Sequence, residues 1–84
     1  MSDIIARTAG HLGAIVRRIR KSRQLTQDGL AALMSVRQAT ISKLEEGIPT
    51  IHLGTLMDAL SALDLELVVR PRTKRDKQEI EDLF

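Results

Sequence analysis

Apolar residues recur at intervals of three and four along most of this chain, and the places where that rhythm stops mark out its elements. Leu12, Ile15, Val16 and Ile19 form the first stripe, which with Thr8 as N-cap predicts a helix running to about Ser22. Arg17, Arg18, Lys21 and their basic neighbours fall largely outside it. Thr26 is a second good N-cap, Gln27 and Asp28 suit a first turn, and Leu30, Ala31, Leu33 and Met34 follow at helical spacing. Ser35 and Val36 interrupt. The rhythm resumes from Gln38 to Glu46, with Ala39, Ile41 and Leu44 inward, until Gly47 and Pro49 stop it. A fourth stripe, Leu53, Leu56, Met57, Leu60 and Leu63, predicts a helix that begins between Thr50 and Gly54 and lies over the first three.

After Asp64 the period changes. Leu65, Leu67 and Val69 share one side of an alternating run rich in β-branched residues, which Pro71 ends, and this predicts a strand over residues 65–70. A single strand has no partner within its own chain, and unpaired edge groups are costly to bury and hazardous to expose. Pairing with a second copy across a two-fold axis solves this, and sets two copies of any reading helix about 34 Å apart, one turn of DNA. The alternative is an extension of the fourth helix that ends in coil.

The helix pair in residues 26–47 is where recognition chemistry gathers. Ala31 is the small residue expected where the two backbones approach, and Ile41 and Leu44 face Leu30 and Leu33. Left outward are Arg37, Gln38, Thr40, Ser42 and Lys43: an amide able to bond an adenine edge in two places, a guanidinium, and hydroxyls and an ammonium for phosphates. The plainer alternative is a helical hairpin with a solvated polar face.

TQDGLA, a turn and then QATISKLEEG resemble the helix-turn-helix of the lambda-repressor-like (XRE/Cro) family, whose second helix lies in the major groove. QATIS makes the stretch most similar to the HipB-type antitoxins. The resemblance implies an all-α, four-to-five-helix lambda-repressor-like DNA-binding domain with a short C-terminal β-strand pairing across a dimer through Leu65, Leu67 and Val69. Two departures stand out. Ser35 occupies the turn position usually held by glycine, where a left-handed backbone costs a side chain more, and Gly29 weakens the first helix of the pair. On this reading Gln38 and Ser42 touch base edges and Ala39 packs on a thymine methyl. Gln27, Arg37, Thr40 and Lys43 fix register on phosphates, with a guanine as the alternative target of Arg37.

Size and composition bound the rest. A chain of 84 residues makes one domain that buries only about two-thirds of its unfolded surface, so a partner chain is expected. Phe84 is the sole aromatic residue, which removes the stacking platform a single-strand or RNA binder needs. The net charge is +2, but residues 1–24 carry Arg7, Arg17, Arg18, Arg20, Lys21 and Arg23 against Asp3, a local +5 beside the proposed reading helix. There is no cysteine, no long apolar run and no signal-peptide pattern, which suits a bacterial cytoplasm, on the nucleoid when bound to an operator. His11 and His52 lack a second ligand at metal spacing, and Gly10-His11-Leu12-Gly13 is a coincidence of composition. The carboxylates Glu45, Glu46, Glu66, Glu81 and Asp82 are expected to face solvent, where nothing raises a pKa for catalysis. No enzyme, cofactor, metal or small-molecule ligand is expected.

The chain therefore divides into an arm over residues 1–7, a helix-turn-helix domain over 8–70 and a charged tail over 71–84. The tail ends in QEIEDLF, where Ile80, Leu83 and Phe84 either stay solvated or order on a partner. The resemblance implies that this end, Leu83 and Phe84, contacts a HipA-like Ser/Thr kinase toxin. The expected function is a dimeric repressor of a palindromic double-stranded DNA operator that is also the antitoxin of such a kinase and autoregulates its operon. A stand-alone repressor and a helical protein-interaction adaptor are the alternatives.

Overall fold

Local signals at the helix ends decide most of the architecture. The computed structural model describes residues 4–72; expectations placed on residues 1–3 and 73–84, among them Leu83 and Phe84, lie outside the described residues. Helix α1 spans Ala9–Ser22, and the Thr8 hydroxyl caps it by accepting from the His11 N–H at 3.0 Å. It ends where Gln24 turns left-handed at φ 60° and donates its N–H to the Lys21 carbonyl. Helix α2, Gln27–Met34, starts the same way, with Thr26 accepting from the Gly29 N–H at 2.9 Å. Ser35 then takes the left-handed conformation at φ 57°, as the turn requires, and the Val36 N–H closes on the Ala31 carbonyl.

Helix α3, Gln38–Glu45, follows α2 after three residues, and α4 covers Leu53–Ala62. Gly47 at φ 77° ends the turn after α3, and a Cβ there would lie 2.6 Å from the Gly10 Cα. A Cβ on Gly13 would lie 2.5 Å from the Leu44 carbonyl oxygen, so Gly13 is the point where α1 and α3 cross in near-contact. Of the two glycines that read as coincidence in the sequence, Gly13 is therefore a packing position, while a Cβ on Gly10 would meet only the Thr8 hydroxyl at 3.7 Å.

The core fills the space enclosed by the four helices. Val16, Leu30, Ile41 and Leu63 are fully buried, with Ala31, Leu44, Ala59 and Leu60 around them. Three expected core residues are corrected: Leu33, Leu53 and Met57 are 62%, 68% and 43% exposed. On α2 the buried face is centred on Leu30 and Ala31, and Leu33 stands about 200° round the helix from Ala31. On α4 it is centred between Leu60 and Leu63, which admits the small Ala59 and turns Met57 out, whereas Leu53 shares the phase of Leu60 and is exposed as the first residue of the helix.

Beyond α4 the chain does not continue as helix. Asp64 is left-handed at φ 58° and Leu65 donates to the Leu60 carbonyl at 2.7 Å, which turns the backbone away. Leu65 still packs on the core, whereas Leu67, Val68 and Val69 are 51%, 65% and 90% exposed. Residues 65–70 form neither helix nor strand within the single chain.

Candidate nucleic-acid interface

Helix α3 buries Ile41 and Leu44 and turns its other side to solvent. Gln38, Ala39 and Lys43 are exposed on that side, and Thr40 and Ser42 are half-buried at its margins. Ala39, expected inward by periodicity and outward by its thymine contact, is outward, because the face set by Ile41 and Leu44 leaves no room for it. Arg37 occupies the N-cap position of α3, exposed and without a side-chain cap, so its guanidinium projects from the end of the helix. The Ser42 hydroxyl donates to Glu46 at 3.2 Å and is held one turn along from Gln38. Arg17, Arg18, Lys21 and Arg23 on and after α1 are exposed as well.

Two charges expected at the surface are buried instead. Arg20 was grouped with the phosphate-facing cations and Glu45 with the solvated carboxylates, yet their side chains are only 7% and 3% exposed and form an ion pair. The Arg20 Nε donates to one Glu45 oxygen at 2.6 Å and Nη2 to the other at 3.0 Å, while Nη1 donates to the Leu25 carbonyl at 2.7 Å. The pair ties α1 to the end of α3 and to the loop before α2, leaving no guanidinium nitrogen idle. Burial by itself pushes the Glu45 carboxyl up. The hydrogen bonds from Arg20 and Gln27, with the charges of Arg20 and Arg17, outweigh it and hold the group below the usual carboxylate range. Its bond to Glu45 raises Arg20 against the opposing effect of burial, so both stay charged.

The pair reaches the surface through two amides. Gln27 Nε2 donates to Glu45 at 3.1 Å, and Gln38 Nε2 donates in turn to Gln27 Oε1. Gln27, expected on phosphate alone, thus also braces Gln38. A readable signal for the pair existed. Arg20 lies four residues beyond Val16 and Glu45 four beyond Ile41, so both charges sit on the buried phase of their helices.

Three comparisons bear on what this surface is for. The Helix-turn-helix family profile matches residues 16–69. An uncharacterized HTH-type transcriptional regulator, y4mF, of Sinorhizobium fredii is 34% identical over 70 residues, covering 82% of this chain and 92% of its own. A second from the same organism, y4dL, is 36% identical over 62 residues, but those are 74% of this chain and only 32% of that longer protein. Among solved structures, a HipB–O2 20mer complex superposes with a TM-score of 0.78 at 26% identity, covering 86% of this chain and all of the other. A HipA–HipB–O2–O3 complex superposes at 0.74 and 25% identity, covering 87% of this chain and all of the matched one.

Proposed function

The chain belongs to the helix-turn-helix family of DNA-binding transcriptional regulators, and on that premise we propose that it is a dimeric repressor of a palindromic double-stranded operator and the antitoxin of a HipA-like Ser/Thr kinase. The observation that carries the DNA reading is α3: its first residues, Gln38 and Ala39, stand free of the core on a helix whose opposite side is locked by Ile41 and Leu44. Gln38 and Ser42 read base edges, Ala39 meets a thymine methyl, and Gln27, Arg37, Thr40 and Lys43 hold phosphates. The exposed cations of α1 add to the attraction for the backbone.

Dimerisation rests on residues 65–70. Leu67 and Val69 are large, apolar and uncovered in the single chain, and the backbone beside them is free of any ladder. Pairing two such segments hides both. The antitoxin role is supported by the likeness to HipB in a complex with HipA, and on this reading Leu83 and Phe84 contact the toxin. Autoregulation follows if the dimer keeps its reading helices free while the toxin binds elsewhere. A regulator without a toxin is the second reading, favoured by the two Sinorhizobium fredii relatives, whose names speak only of transcriptional regulation.

Selection from a pool of duplexes with a randomised core tests the DNA reading: a symmetric sequence with half-sites about one turn apart is expected, and no enrichment refutes it. Co-purification with the product of the adjacent reading frame, lost on deletion of residues 78–84, separates antitoxin from stand-alone regulator.

A further inference from the structure

We propose that the outer face of α1 is a docking surface for the acidic stretch of the chain's own tail, residues 79–82, and that a duplex must displace this stretch to bind. The docking stands on charge and helix phase; its effect on DNA binding rests on the reading above.

Helix α1 buries Gly13, Val16 and Arg20. Arg18 and Lys21 lie about 200° and 140° round the helix from Val16, on the side turned away from the core. Arg17 stands between that side and α3, close enough for its charge to act on Glu45, and Arg23 follows at the end of the helix. All four are exposed, and among the described residues none of their side chains has a hydrogen-bond or ion-pair partner. Residues 4–27 contain no carboxylate, so no anion along this helix or its flanks offsets them. Arg17 and Lys21, four residues apart, are a like-charged pair that works against the helix until an anion lies between them.

The tail carries the opposite sign. Glu79, Glu81 and Asp82 place three carboxylates within four residues. The stretch before them holds Arg72, Lys74, Arg75 and Lys77 against Asp76, so α1 repels it and takes the acids beyond. Residues 73–78 extend to about 20 Å, close to the length of α1, about 21 Å. A tether of this kind holds the acids at an effective concentration in the millimolar range, where a few exposed charge pairs are enough to populate the docked state. Docked carboxylates sit where backbone phosphates would, and weaken binding to any duplex by the same factor. That factor is largest at low salt, because the docking is itself ionic.

Two variants of the full chain test this, each neutralising three exposed acids. One carries Glu79→Gln, Glu81→Gln and Asp82→Asn; the other, a control of equal charge, carries Asp58→Asn, Asp64→Asn and Glu66→Gln. Amide signals of residues 14–21 in nuclear magnetic resonance spectra without DNA are expected to move in the tail variant and stay in the control. Affinity for a duplex of arbitrary sequence at low salt is expected to rise about tenfold in the tail variant and about twofold or less in the control. The curves for the tail variant and the wild type should converge as salt rises.

Unmoved signals on α1, with equal gains in affinity for the two variants, mean that the tail acids act only through net charge, and overturn the proposal while DNA binding stands. Signals that move on α1 in a chain that holds no duplex at any salt leave the docking standing and overturn the DNA reading.

Discussion

The crossing of α1 with α3 and the edge beyond α4 present opposite problems to the solvent. At the crossing, two full charges are buried, yet every strong donor and acceptor is met: Arg20 by Glu45 and Leu25, Glu45 by Arg20 and Gln27. Among the described residues no buried side-chain nitrogen or oxygen lacks a partner. At the edge the backbone of residues 65–70 has no ladder, and Leu67, Val68 and Val69 stand in water beside Leu53 and Met57 of α4. One region is complete within a single chain and gains nothing from a second. The other is complete only when covered. The reading surface sits on the finished region, as a base-contacting amide needs, and the surface that sets the spacing between two reading heads is the one left open.

The largest effect is expected from breaking the finished region. Glu45→Ala strands a buried guanidinium and should cost about 3–5 kcal/mol in urea unfolding, a large share of the roughly 5–15 kcal/mol a small domain has. Arg20→Met with Glu45→Leu should recover most of that loss, because apolar groups of similar volume leave no charge behind. If the single substitution is nearly neutral, the pair is not the tie between α1 and α3.

At the open edge, Leu67→Asp with Val69→Asp should leave the melting temperature of a monomer near its starting value. The same change should convert dimers to monomers in sedimentation and weaken duplex binding by about 100-fold or more, since two half-sites are no longer held together. A dimer that survives both changes contradicts the assignment of this edge. Gln38→Ala is smaller, about 1–3 kcal/mol in duplex affinity with relaxed base preference and unchanged folding.

Acid gives the mildest contrast. Glu45 is held below its unfolded value, so the pair contributes fully above about pH 4.3, the ordinary carboxylate value, and loses that contribution as pH falls through the lowered folded value. A melting temperature followed downward from pH 5 should fall for the wild type, and fall less for the Arg20→Met, Glu45→Leu double variant.

What could be read from the sequence divides along a physical line. Thr8, Thr26 and Gly47 act on backbone within a few residues, and each ended or began a helix where its chemistry said it should, while Ser35 takes the left-handed turn despite its side chain. The inner faces of α2 and α4 were less legible. Leu33, Leu53 and Met57 are as apolar as the residues that are buried, and only the neighbouring helices decide which side of each stripe is covered. The Arg20–Glu45 pair spans 25 residues of sequence, so a count of local charge placed both partners in water. Their shared buried phase was the signal that composition hid. Gly13 likewise has meaning only once α3 lies across it.

The central claim is that α3 docks against a duplex with cations gripping phosphates on either side. Its most direct test is the affinity of the purified chain for its enriched duplex across a range of salt concentration. A straight fall of log affinity against log salt, with slope about −0.9 for each phosphate held, is the expected result. A flat line, or a chain that holds no duplex even at low salt, would contradict it.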